Sequence, residues 1–273
     1  MGIATPVFSP VAASLYLTFG GRVLDARSPR SVLRDTTASE IAEKIGYDTA
    51  RFALPATKVF DVAVRAKMLD DVVRGFVARH LDAVVVDLGA GLDTRAWRVA
   101  APPTVDFYDI DLPEVIEARR QVMPERANVH AVAADLTDSN CLDAVPGDRP
   151  AVIVADGLVP FLSQDDLVAL LRRLTGQFPS GELAFNSYST FNMWVIHHLR
   201  SLRSIAEVSV NPGFNDPREP ERWGTGLTFV EEHFETRRPE IALLPPVLRL
   251  STRLLSRSAA LSRWGITVFH YRF

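Results

Sequence analysis

Residues 84–98 read Val84-Val85-Val86-Asp87-Leu88-Gly89-Ala90-Gly91-Leu92-Asp93-Thr94-Arg95-Ala96-Trp97-Arg98. A β-branched run ends at Asp87 and passes through Gly89 and Gly91 into a helix, the layout of a nucleotide-binding strand–loop–helix turn. Lacking Cβ atoms, the two glycines let the backbone turn sharply and let a bulky ligand approach the main chain. Thr94 stands where a dinucleotide fingerprint wants its third glycine. A pyrophosphate favours a helix N-terminus free of nearby carboxylates. Asp87 and Asp93, flanking the loop, instead suit a ligand with positive charge, such as the sulfonium and ammonium of S-adenosylmethionine.

Outward from this turn, residues 81–188 alternate short apolar runs with amphipathic ones, the pattern of βαβ units and a mostly parallel sheet. The expected strands are 84–88, 105–110, 129–134, 151–155 and 182–188. After the fourth, Leu167, Leu170, Leu171, Leu174 and Phe178 make one helical stripe, opened by a Ser163–Asp166 capping box and closed by Pro179-Ser180-Gly181. The fold class is α/β, a doubly wound, Rossmann-like sheet with ligand loops at the carboxyl ends of its strands. Residues 1–80 read as an N-terminal helical cap, most clearly 60–79, where Val62, Ala66, Leu69, Val73 and Phe76 form a stripe flanked by Arg65. Residues 81–273 form the core, with 190–235 as a substrate-lid insertion that includes the linker-like stretch Asn211–Arg222. Ile266 to Phe273 alternates like a strand with one buried face, added antiparallel to the sheet.

The 273 residues, 47% hydrophobic and 23% charged, are ordinary globular material. A formal net charge of -3 offers no footprint for nucleic acid. The lone cysteine, Cys141, forms no internal disulfide and fits a reducing cytoplasm. Pro6 and Pro10 interrupt the apolar stretch 3–19, which no Lys or Arg precedes, so neither a signal peptide nor a membrane span is expected.

Carboxylates stand at the ends of the second, third and fourth strands. Asp111, about twenty residues beyond the glycine turn, is placed to hold a ribose by its hydroxyls, with Asp109 as second choice; the plain alternative is that Asp111 caps the helix begun by Pro113. Asp135 and the Leu136 amide could read an adenine edge, or close the strand with an Asx turn. Asp156, before Gly157 at the tip of the fourth strand, suits an ammonium group. Arg65 could clamp a carboxylate, or merely flank its helix with a buried stem. His197 and His198 are adjacent and share no helix face, so no metal site is expected there or elsewhere, and no nucleophile elbow is present.

With these residues in place, the chain resembles the leucine carboxyl methyltransferase and polyketide O-methyltransferase family, a class I S-adenosylmethionine-dependent group. The resemblance rests on the run Asp87 to Arg95, on Asp109-Ile110-Asp111-Leu112-Pro113, on Ala134 to Asp138 and on Asp156-Gly157, with Ile45-Gly46-Tyr47 and Arg65 in support. It implies S-adenosylmethionine as cofactor. Arg65 is implied on the methionine carboxylate, Gly89 with Ala90 and Gly91 against the methionine portion, and Asp111 with Leu112 at the ribose. Asp135 and Leu136 are implied at the adenine, and Asp156 with Gly157 at the ammonium end. Many relatives carry Glu at Asp156 and Tyr at Phe161. Ser39 replaces a lysine of the branch that methylates a protein C-terminus.

Methyl transfer is an in-line displacement governed by positioning, and an ionised carboxylate acceptor needs no base, whereas a hydroxyl acceptor does. His197, His198 and Tyr188 are the base candidates. Phe19, Phe52, Phe191, Trp194 and Trp223 are expected around a small aromatic or polyketide-type acceptor. A protein C-terminus as substrate, a nicotinamide oxidoreductase and a non-catalytic scaffold are the alternatives. A homo-oligomer is compatible with the sequence; nucleic acid and membrane partners are not expected.

Overall fold

The computed structural model describes residues 8–49, 54–199 and 203–273. The chain leads with α1 (Pro10–Ala13), α2 (Leu15–Ala26), α3 (Thr36–Lys44) and α4 (Ala56–Val77). There follow β1 (Val84–Leu88), α5 (Arg95–Arg98), β2 (Asp106–Asp111), α6 (Pro113–Val122), β3 (Val129–Ala133), β4 (Ala151–Ala155), α7 (Gln164–Gln177) and β5 (Gly181–Asn186). The remainder carries α8 (Thr190–His198), α9 (Arg203–Ala206), α10 (Glu219–Arg222), β6 (Thr228–Phe234), α11 (Pro246–Leu255), α12 (Ala259–Ser262) and β7 (Thr267–Arg272).

The strands form one seven-stranded sheet in the order β3-β2-β1-β4-β5-β7-β6. Strands β1 to β5 run parallel, while β7 pairs antiparallel with both β5 and β6. β1 and β4 are buried along their whole length, which is why they read as Val-Val-Val and Val-Ile-Val runs. One face packs on α7 through Leu167, Leu170, Leu171 and Leu174, the expected stripe. Ser163 Oγ accepts from the Asp166 amide at 3.1 Å, completing the cap. The other face packs on α4 through Val64, Met68, Leu69, Val73 and Phe76. A third cluster joins α2 and α3 to α6 over Leu92 of the glycine loop, so the N-terminal helices sit directly on the carboxyl end of the sheet. The connections leave β1 in one direction and β4 in the other, opening a crevice between their carboxyl ends.

Two sequence expectations change. β6 lies inside the segment expected to be a lid, because a bulge between Phe229 and Glu231 breaks the alternation that marks a strand. β7 is buried on both faces, not one, since α4 covers the face carrying Val268 and Phe214 with its neighbours covers the face carrying Phe269 and Tyr271. Among the described residues no helix is long and apolar enough to cross a membrane.

Candidate functional site

The loop after β1 turns through Gly89 at φ +63° and Gly91 at φ +50°, a region costly for residues with a Cβ. A Cβ at Gly89 would lie 3.2 Å from Leu158, and one at Gly91 would lie 3.2 Å from Leu15, so the loop is enclosed by the segment after β4 and by α2. Asp111, at the tip of β2, accepts the Gly91 amide at 2.6 Å and the Leu112 amide at 2.7 Å. It stays partly exposed. Asp109, two residues back, is buried against Arg119, whose guanidinium also donates to the carbonyls of Gly91 at 2.7 Å and Asp93 at 3.0 Å. Of the two carboxylates, Asp111 is the one presented at the crevice, and Arg119 braces the loop from behind.

Asp87 and Asp93 do not face outward. They belong to a buried ion-pair lattice beneath the loop. Arg95 Nε donates to Asp87 at 2.9 Å, and the same guanidinium pairs with Asp70 of α4 and, at 3.3 Å, with Asp93. Arg98 pairs with Asp70 at 2.9 Å, Asp35 at 2.9 Å and Asp93 at 2.7 Å. Arg22 of α2 reaches Asp93 at 3.4 Å and Asp156 at 3.8 Å. Burial works against ionisation of Asp93, but Arg22, Arg98 and Arg95 together hold it well below the usual carboxylate range. Asp87 must share Arg95 with Asp70 and Asp93, and burial pushes its pKa up to about 7. The expectation that these aspartates attract a cationic ligand is therefore corrected: arginines placed two and five residues after Asp93 neutralise them.

The lattice ends at the crevice. Arg65 Nε lies 2.5 Å from Asp156 Oδ1, but the approach lacks hydrogen-bond alignment. Nε and Nη2 of Arg65 and both Asp156 oxygens are buried without a hydrogen-bond partner among the described residues. The two charges balance each other as an ion pair, but buried polar atoms left short of hydrogen bonds are costly and mark a place for a ligand. An amino-acid zwitterion carries the complementary groups, a carboxylate for the guanidinium and an ammonium for the carboxylate. Gly157, beside the pair, leaves room: a Cβ there would be 3.7 Å from Arg65 Nη2 and 4.0 Å from the Tyr188 hydroxyl. The Gly157 amide is fixed by Asn186 Oδ1 at 2.7 Å. The flanking reading of Arg65 fails because α4 is enclosed by the sheet and α2, which buries Arg65.

Asp135 is exposed at the end of β3, one oxygen taken by the amide and hydroxyl of Thr137 at 2.9 and 2.8 Å, while Leu136 is buried in the core. The Asx turn is thus present, and the second Asp135 oxygen remains available. His197 and His198 are exposed at the end of α8, and His198 Nδ1 is 2.7 Å from the Trp194 carbonyl. The expected aromatic lining disperses. Phe19 is fully buried against Tyr47, and half-buried Trp223 packs edge-on to Phe214 at the margin of the core. Phe191 and Trp194 stack on each other on the exposed face of α8, and Phe52 lies outside the described residues.

Two solved structures share this architecture. An S-adenosylmethionine dependent methyltransferase from Mesorhizobium loti matches with a TM-score of 0.52 at 12% identity, covering 75% of this chain and 98% of that one. The magnesium protoporphyrin IX methyltransferase of Synechocystis matches with a TM-score of 0.50 at 12% identity, covering 87% and 99%. They establish the fold, the α/β sheet architecture shared with class I methyltransferases. In sequence, the tetracenomycin polyketide synthesis O-methyltransferase of Streptomyces glaucescens is 37% identical over 237 residues, 87% of each chain. A methyltransferase of Gibberella zeae, also named as S-adenosyl-L-methionine-dependent, is 32% identical over 242 residues, 81% of each. The family model of leucine carboxyl methyltransferase matches residues 17–175. The chain belongs to the leucine carboxyl methyltransferase family, and it is an S-adenosylmethionine-dependent O-methyltransferase.

Proposed function

We propose that this enzyme methylates a carboxylate or hydroxyl oxygen of a small aromatic or polyketide-type metabolite. The observation that carries the site assignment is the buried Arg65–Asp156 pair, charged on both sides and short of hydrogen bonds. In this reading Arg65 takes the amino-acid carboxylate of the cofactor, and Asp156 at Gly157 takes its ammonium. Gly89, Ala90 and Gly91 give the methionine portion a side-chain-free surface, with Asp87 supporting the loop from below through Arg95. Asp111 and the Leu112 backbone hold the ribose; the free oxygen of Asp135 and the Leu136 amide read the adenine. S-adenosylmethionine supplies an electrophilic methyl group on its sulfonium.

The protein's share of the chemistry is then orientation and exclusion of water. A carboxylate acceptor, with an ordinary pKa near 4, arrives ionised and asks for no base. For a hydroxyl acceptor, Tyr188 is the base candidate that stands beside Gly157 and Arg65, whereas His197 and His198 sit out on α8. The acceptor approaches past α8, where Phe191, Trp194 and His198 form an exposed stacked ladder suited to a flat ring. The polyketide setting of the Streptomyces relative supports a small acceptor over a protein tail. Lone, buried Cys141 suits the cytoplasm.

Incubation with methyl-labelled S-adenosylmethionine and a panel of aromatic carboxylic acids and phenols tests the proposal. Label that enters small molecules supports it, and base-labile label identifies an ester. Label that enters only protein C-termini overturns it.

A further inference from the structure

At the β6 edge of the sheet, β6 and β7 bring together Glu231, His233 and His270. One donor atom from each lies within 4.8 Å of the others. The arrangement follows from register. Glu231 pairs directly with His270 across the strands, and His233 pairs with Val268, which puts all three side chains on the α4 face. The bulge at Phe229/Glu231 re-aims Glu231 into this position. The two imidazoles stack at 5.6 Å.

His270 Nε2 is 3.0 Å from Glu182 Oε2 of β5, and Glu182 is itself held by Arg79 at 2.6 Å. With Nε2–H donating to Glu182, His270 Nδ1 presents a lone pair, and this atom is buried with no hydrogen-bond partner among the described residues. His233 Nε2 is orphaned in the same way, 3.9 Å from Glu231 Oε1. Two unpaired imidazole nitrogens beside a carboxylate, one imidazole steadied by a second carboxylate, is the donor set of a transition-metal site and its outer shell.

We propose that Glu231, His233 and His270 bind a divalent transition cation, with Zn²⁺ as the best match, and that Glu182 positions His270 for it. Tetrahedral zinc with bonds of about 2.0–2.1 Å asks for closer donors, and exposed Glu231 has the freedom to close in. The carboxylate faces solvent, giving the ion an entry path and a water as fourth ligand. Arg238, nearby, is engaged by Asp71 and Glu240. Bound there, the ion ties the edge strand β6 to β7, with β5 standing between the site and the β1–β4 crevice, so the site is structural. The sequence reading missed it by seeking histidines at helical offsets, whereas these meet across strands.

Tag-free, EDTA-treated protein titrated with ZnCl₂ by calorimetry tests the site, with the visible spectrum of added Co²⁺ as a second readout. One equivalent is expected, with a raised melting temperature. Glu231→Gln and His233→Ala, both at partly open positions, should each weaken binding at least ~10-fold, and Glu182→Gln should do so by ~10–100-fold. S-adenosylhomocysteine affinity, unchanged in these variants, reports that they are folded. Absence of stoichiometric binding, or binding that survives both Glu231→Gln and His233→Ala, overturns the site.

Discussion

Asp111 shows how one side chain serves the loop and the ligand together. Its two oxygens accept the amides of Gly91 and Leu112, fixing the loop, while its exposed edge is left for ribose hydroxyls. Asp111→Asn keeps the shape but turns an amide N–H toward a backbone N–H. With hydrogen bonds to charged groups worth about 1.5–3 kcal/mol, S-adenosylhomocysteine affinity should fall ~10–100-fold by calorimetry. Tyr188 tests the acceptor class. If the acceptor is a carboxylate, Tyr188→Phe should leave kcat within ~10-fold, whereas loss of a general base would cost ~10²–10⁴-fold. Strand-end position made Asp111 and Asp156 legible in the sequence. It could not reveal that Arg65 meets Asp156, because that contact joins α4 to β4 and has no local pattern.

At the scale of elements, the Asp93-Thr94-Arg95 to Arg98 run is a brace. It locks α5 to α3 through Asp35 and to α4 through Asp70, so the N-terminal helices and the cofactor loop are held as one unit. Removing one partner of a buried pair strands the others. Arg98→Met should therefore cost about 3–5 kcal/mol, read as a lower urea midpoint. Asp87 adds a pH dependence. Its pKa is about 7 in the fold, against about 3.9 unfolded, so between those values the folded chain holds a proton that the unfolded chain lacks. That contribution is fully present below about pH 4 and is lost as pH rises through about 7. Asp87→Asn, neutral throughout, should flatten the decline in melting temperature across this window. The motif's spacing was plain in the sequence, but its purpose was not: acidic residues flanking a loop read as a cation site until the arginines are seen beneath it.

For the whole molecule, periodicity was enough to place β1 to β5, α7 and the antiparallel final strand, since buried parallel strands and amphipathic helices each leave a clear signature. It failed at β6, half-exposed and bulged, and at the aromatic lining, where Phe19 and Trp223 are packing residues. What the fold achieves is to set α4 and α2 over the switch between β1 and β4, so that Arg65 and Asp156 face each other with their hydrogen bonds unmade. The central claim is that this pair receives the amino-acid end of the cofactor. The direct test is calorimetric titration of wild type, Arg65→Ala and Asp156→Ala with S-adenosylhomocysteine and with methylthioadenosine, which lacks that end. Each substitution should lower affinity for the first compound toward that of the second and leave the second unchanged. Equal losses for both compounds, or none for either, would contradict it.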